Sequence, residues 1–179
     1  MNKFTLETIK RRLRRYRPET PQAVLRKCQF PLEFVDEGAF RVVYHILGTE
    51  YVLKLPIQEW DRWRWKGPRA KWIKMHINHA RLEMNAHTVI STSAVPAVRA
   101  LRRYLPEIPF MDWDTGVALM RRYRAPTSSE WSKHQTNLLM LIEAVQRRNT
   151  DISQNNCGVD SNGKLRVVDL GCLALKGER

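Results

Sequence analysis

The chain has 179 residues, 43% hydrophobic and 27% charged, which suits one ordinary domain or two small lobes and excludes both a large multidomain machine and a disordered tail. Its formal net charge of +13 is enough to draw nucleic acid, anionic lipid or an acidic protein surface, without choosing among them. No apolar run approaches the ~18 residues that cross a bilayer, and "MNKFTLETIKRRLRRYRPET" lacks the apolar block of a secretion signal. The cysteines, Cys28, Cys157 and Cys172, are odd in number and form no CxxC pair, so a soluble cytoplasmic protein without a disulfide framework or a zinc site is expected.

Leu6, Ile9, Leu13 and Tyr16 recur at helical spacing, with Lys10, Arg11, Arg12, Arg14 and Arg15 on the remaining faces, until Pro18 stops the pattern. This predicts a basic amphipathic helix. A second short helix is predicted from Thr20 as its cap, with Pro21 at the first helical position, Val24, Leu25 and Cys28 following, and Phe30-Pro31 as its end. Between Phe30 and Pro56, β-branched and aromatic residues alternate with polar ones, and turn residues punctuate at Asp36-Glu37-Gly38 and Gly48-Thr49. Three antiparallel strands follow from that texture.

The segment "IQEWDRWRWKGPRAKWIKMHINHARLEMNAHTVI" sets Trp60, Trp63, Trp65 and Trp72 among basic residues, then reads as a helix through about Ile90. Its interleaved Trp, Arg and Lys fit two readings: stacking on bases with contacts to phosphates, or packing of a segment inserted between strand and helix. "AVPAVRALRRYLPEI" and "GVALMRRYRAP" read as two more strands, completing a five-stranded antiparallel lobe. After "APTSSE", Leu138, Leu139, Leu141, Ile142 and Val145 form a helical stripe, and "CGVDSNGKLRVVDLG" reads as a hairpin turning at Asn162-Gly163. The expected organisation is a basic helical extension over 1–29, a strand lobe over 30–125 and a small second lobe over 126–179. The five histidines offer no ligand set, although His76 and His79 lie one turn apart.

A strand-rich lobe with one helix, then a helix, a loop and an acidic hairpin is an order that fits phosphoryl transfer, and five positions answer its requirements. Lys54, on the third strand, is a fixed cation for the α- and β-phosphates. Glu83, on the following helix, offers a carboxylate to keep that lysine aimed. Asp151 opens "DISQNNCGV", in a loop that can point it at a substrate hydroxyl. Asn156, five residues later, and Asp169, closing the hairpin, are oxygen donors of the kind Mg²⁺ takes.

From about Phe30 onward these segments resemble the protein-kinase-like superfamily, a two-lobed α+β fold. "DISQNNCGVDSNGKLRVVDLG" resembles its Asp-x-x-x-x-Asn catalytic loop, β-hairpin and Asp-Phe-Gly element, with Leu170 in place of Phe, and "VDEGAFRVVYHILGTEYVLKLP" resembles its nucleotide-covering hairpin and lysine strand. The resemblance implies ATP and Mg²⁺ as cofactors. It implies Gly38, Arg41, Val43, Lys54 and Glu83 around the nucleotide, Met120 to Tyr123 as the hinge beside adenine, Asn156 and Asp169 on metal, and Asp151 with Lys54 as catalytic residues. The implied reaction moves the γ-phosphate to a Ser or Thr hydroxyl of a protein, or of the chain itself.

Departures from the pattern shape the expectation further. Only Gly38 remains of the glycine-rich loop, with Asp36 and Arg41 where glycines are usual, so fewer backbone N–H groups can approach the phosphates, and Arg41 is read as compensating by charge. Asn149-Thr150 replaces the usual His-Arg, which removes the arginine that reads activation-loop phosphate. Eight residues follow Gly171, so a strongly truncated C-lobe without the peptide-substrate platform is expected. The alternative reading is a catalytically weak or inactive kinase-like binding module that engages an acidic protein or nucleic acid through its basic surface. No membrane partner is expected in either case.

Overall fold

The computed structural model describes residues 4–15, 26–57, 67–145 and 152–170. The chain is α+β, and it divides into two units, Met1–Arg81 with Ile108–Arg122, and Leu82–Glu107 with Tyr123–Arg179. Among the described residues, no helix is long and apolar enough to cross a membrane.

In the first unit, helix α1 (Leu6–Arg15) starts where Thr5 Oγ1 accepts the Thr8 N–H at 3.3 Å. Its charges follow the helix dipole, with Glu7 in the first turn and Arg12, Arg14 and Arg15 in the last. Ile9 and Leu13 are buried in one cluster with Phe30, Ile46, Leu53 and Leu119, so the N-terminal helix belongs to the core of the strand unit and is not an appendage to it. Arg12 fastens it by donating to the Cys28 carbonyl at 2.9 Å, with its guanidinium 4.9 Å from the Phe4 ring centroid.

Five antiparallel strands follow, in the spatial order β1-β2-β3-β5-β4. Strands β1 (Leu32–Glu37) and β2 (Arg41–Ile46) form the first hairpin, with Val35 an extra residue where the register slips between Phe34 and Asp36. Strand β3 (Tyr51–Pro56) is central and buried along its whole length. Helix α2 (Arg69–Thr92) is 24 residues long. Strands β4 (Phe110–Asp112) and β5 (Val117–Arg121) are joined by a turn in which Asp112 Oδ1 accepts the N–H groups of Asp114 and Thr115. Gly116 closes that turn at φ +72°, and a Cβ there would stand 2.7 Å from the Ala80 Cβ.

The expected fourth strand, "AVPAVRALRRYLPEI", is instead helix α3 (Pro96–Ala100) and a 3-10 turn over Leu101–Tyr104. Pro96 sits at the helix start, where its missing N–H costs nothing, and Val98, Leu101 and Tyr104 are buried at intervals of three, a helical and not an alternating pattern. The strand count of five survives because the short "FMD" supplies β4. The division also assigns Leu82–Glu107 to the second unit, where the sequence reading kept everything to residue 125 in the strand lobe.

The second unit gathers α3, the 3-10 turn, helix α4 (Ser128–Val145) and the hairpin of β6 (Cys157–Val159) and β7 (Leu165–Val167) around a core that includes Ile90, Leu138, Ile142, Val159 and Leu170. Helix α4 opens with a capping box: Thr127 Oγ1 accepts the Glu130 N–H at 3.2 Å and Glu130 accepts the Thr127 N–H at 2.9 Å. Of the predicted stripe, Leu138 and Ile142 are buried, whereas Leu139 is 41% exposed. Of the second short helix expected from Thr20, Arg26 and Lys27 are helical and Cys28 is buried, whereas residues 20–25, like Trp60, Trp63 and Trp65, lie outside the described residues.

Candidate functional site

Strand register assembles one half of the predicted set. Lys54 pairs with Val43 of β2 and with Ala118 of β5, and Val52 pairs with Met120, so these five side chains share one face of the sheet. The other face, carrying Leu53, Leu55 and Leu119, packs into the core with α1. Lys54 is therefore an ammonium 5% exposed in an apolar row, on the most buried strand of the sheet. Burying a cation at such a place is costly unless opposite charge or hydrogen bonds meet it.

The turn above this face is closed by its own backbone. Gly38 is exposed, its N–H donates to the Arg41 carbonyl at 2.9 Å, and the Asp36 carboxylate accepts the Glu37 N–H at 2.8 Å. Arg41 differs from its expected role of offering charge to a phosphate. Its side chain turns inward, 7% exposed, and the guanidinium donates to the carbonyls of Gly116 at 2.7 Å and Ala80 at 3.3 Å. It ties β2 to the β4–β5 turn and to α2. Phe40, beside it, lies flat on His79 with ring centroids 3.8 Å apart.

At the end of β5, Met120 is buried, and Arg121 pairs with Glu50 at 2.6 Å. The next residue, Arg122, donates its N–H to the Glu50 carbonyl at 2.7 Å. His45, which donates from Nε2 to the Thr49 carbonyl at 2.9 Å, faces Arg122 with Nδ1 at 3.1 Å. This is a firmly held exit from the sheet.

In the second unit the hairpin brings the two predicted metal ligands together. The Asn156 carbonyl accepts the N–H of Val168 at 2.9 Å and of Asp169 at 3.4 Å, so the residues carrying the amide and the carboxylate are backbone neighbours across the sheet end. Both side chains are half-buried, and Leu170 plugs the core immediately beyond them. The hairpin turn differs from the expected two-residue form. Asp160 and Lys164 close a loop in which the Asp160 N–H donates to the Lys164 carbonyl at 3.0 Å, and only Gly163 has positive φ, +74°. The Asp160 carboxylate accepts the N–H groups of Asn162 and Lys164, and it holds Arg166 at 2.7 Å. Burial pushes that carboxyl up, but these donors outweigh it and leave it below the ordinary range.

Tyr123 leads into the same hairpin. Its hydroxyl accepts the Glu107 N–H at 2.7 Å, its Cβ lies against Gly158, and the next residue, Arg124, bridges to Val159 through two backbone hydrogen bonds. Sequence reasoning missed this third partner of the hairpin. Glu83 is a buried carboxylate, 3% exposed, one turn before His87 on α2. Burial lowers the affinity of the His87 imidazole for a proton, against the Pro106 carbonyl at 3.0 Å and the Glu83 charge, which favour protonation. Asp151 lies outside the described residues. Among the described residues, no three of His, Cys, Asp and Glu gather closely enough to hold a metal by themselves. A scan against protein-family models and a search of curated proteins found no match to this chain.

Proposed function

We propose that the chain is an ATP- and Mg²⁺-dependent phosphotransferase acting on a Ser or Thr hydroxyl of a protein or of itself. The observation that carries this reading is the backbone pairing that holds Asn156 against Val168 and Asp169. One amide oxygen and one carboxylate, with nucleotide phosphates and water, make the oxygen set Mg²⁺ accepts. The ion, when bound, supplies positive charge to the phosphates.

The remaining roles fall to the chain itself. Lys54, a buried cation beside Val43, Ala118 and Met120, suits a ligand with a flat apolar ring and an anionic tail. Asp151 orients the acceptor hydroxyl and takes its proton. Glu83, a carboxylate 3% exposed on α2, has the chemistry to orient a cation at the phosphates.

The decisive experiment is thermal unfolding with and without Mg·ATP, for wild type and Asp169→Ala. Nucleotide at about 100 times its Kd stabilises a fold by about 2.7 kcal/mol, a visible shift. A shift that needs magnesium and disappears in the variant supports the reading. No shift at millimolar nucleotide sinks it. The inward turn of Arg41 favours a second reading, a kinase-like binding module without catalysis, because the nucleotide turn then offers no cation to the phosphates. Binding of an acidic partner that survives Asp151→Ala and Asp169→Ala, with no phosphate transfer, would select it.

A further inference from the structure

Helix α1 and the first half of α2, both in the first unit, differ in how their charges meet their own fields. In α1 the acid stands at the start and the arginines at the end, as the helix dipole prefers. In α2 the first turn holds bases and no acid, and the last turn holds no charge. The stretch Arg69 to Arg81 contains Arg69, Lys71, Lys74 and Arg81 and no acidic residue, and its first turn has no acid. Arg69 and Lys71 stand in the first turn, where the helix dipole prefers acids, a local conflict of the kind found at functional surfaces. Lys71, Lys74, Asn78 and Arg81 are all exposed at helical intervals, along about 15 Å at 1.5 Å per residue.

At the far end of this row stands an exposed indole. Trp113 is 44% exposed at the tip of the β4–β5 turn. Its backbone is fixed from two sides: Arg81 donates to the Trp113 carbonyl at 2.6 Å and to the Asp114 carbonyl at 3.2 Å, and Asp112 accepts from the next two N–H groups. A large aromatic left 44% exposed on a rigid turn keeps a ring face open to solvent. Asp114 is the acid beside it.

We propose that the exposed face of α2, with Lys71, Lys74, Asn78 and Arg81 leading to Trp113, binds single-stranded nucleic acid. Lys71 and Lys74 meet backbone phosphates, Arg81 holds the turn that presents the indole, and the indole stacks on a base. This combination of a charge row and an aromatic platform is what sequence-tolerant single-strand binding requires. An acidic peptide would use the charges but not the ring, and a bilayer would need a broad apolar helix face where this one carries Leu82 among Lys71, Lys74, Asn78 and Arg81. The site is independent of the phosphotransferase reading.

The test is fluorescence anisotropy of the full chain with labelled oligo(dT) and oligo(U), a matched duplex, and vesicles containing phosphatidylserine. Both single strands should bind, with log affinity falling against log salt by about 0.7 for each phosphate engaged. Trp113→Ala should weaken binding roughly 5- to 150-fold, the range for loss of one base stack, with Trp113→Phe retaining most of it. The paired change Lys71→Glu, Lys74→Glu should flatten the salt slope by about 1.4, from two phosphates lost. Arg11→Glu with Arg14→Glu on α1 changes net charge equally and should cost much less. Preference for oligo(U) over oligo(dT) would identify RNA, and the reverse DNA. Equal loss from the α1 and α2 pairs, duplex binding as tight as single strand, an inert Trp113→Ala, or vesicle binding without oligonucleotide binding would each overturn the proposal.

Discussion

The guanidinium of Arg41 donates to the backbone carbonyl of Gly116 at 2.7 Å, joining the start of β2 to the turn before β5 across 75 positions of sequence. A second bond at 3.3 Å reaches the Ala80 carbonyl. Arg41→Met keeps the volume and strands both carbonyls. Hydrogen bonds from charged donors contribute about 1.5–3 kcal/mol each, and with two lost the variant should be less stable by about 3 kcal/mol or more in urea denaturation. Arg41→Lys should recover only part, since an ammonium lacks the fork that spans two acceptors. The same variants separate two roles: a phosphate ligand would lower nucleotide affinity beyond what the lost stability explains, whereas an internal tie would not.

Gly158 lies against Tyr123 so closely that a Cβ would collide with the tyrosine Cβ, a neighbour that cannot swing away, and would also press on Val168 at 3.3 Å. Gly158→Ala should therefore lower the thermal midpoint, with overpacking of this kind costing about 1–3 kcal/mol. Because Val168 is bonded to Asn156, the variant should also blunt any magnesium-dependent stabilisation by nucleotide. Gly163→Ala is the control. Space is open there, so its φ of +74° is the sole obstacle, and its effect should be confined to stability.

How far the sequence revealed this architecture depends on where each determinant resides. The first three strands were legible because alternation and the Gly48 turn are written in consecutive residues, and Gly48 does adopt φ +76°. Asn156 and Asp169 were singled out by their order along the chain and the kinase-like resemblance, and the hairpin pairs their backbones. Strand β4 was not legible: three residues cannot display a period, and its place is set by pairing with β5 and by the Asp112 turn. The direction of Arg41 was invisible for a different reason. Its partners are carbonyls, which every residue carries, so no side-chain pattern announces them. The hairpin turn misled because Asn-Gly is a strong two-residue signal, while the Asp160 carboxylate captures two N–H groups and stabilises a longer loop.

Acid should act on the second unit through Glu130. Its carboxylate is bonded by Arg124 and by the Thr127 N–H and hydroxyl, and the Arg124 bond, with those of Thr127, lowers it from 4.5 to about 2. A depressed carboxyl stabilises the fold fully above its unfolded value and loses that contribution as pH falls toward the folded one. The stability difference between wild type and Glu130→Gln should therefore be constant above about pH 5 and shrink between 4.5 and 2. Urea midpoints for the two chains across that range measure it. A difference that stays level to pH 2 would remove the ionised cap from the account of α4.

Two of the cysteines should be silent until the chain opens. Burial pushes the Cys157 thiol up to about 12 and the Cys28 thiol up to about 11, the latter against the opposing pull of Arg12. The thiolate is the reactive species, so at pH 8 only about one molecule in a thousand carries it at Cys28 and about one in ten thousand at Cys157. Both side chains are also 5% exposed or less. Alkylation mapped by mass spectrometry should leave both unmodified in the native chain, and their modification should rise together with unfolding in a denaturant series. The two residues belong to different cores, Cys28 beside α1 and Cys157 in the hairpin. Their labelling midpoints therefore report each unit separately. Nucleotide and magnesium should move the Cys157 midpoint if Asn156 and Asp169 hold the metal, so protection of Cys28 alone would argue against that site while leaving Lys54 as a phosphate ligand.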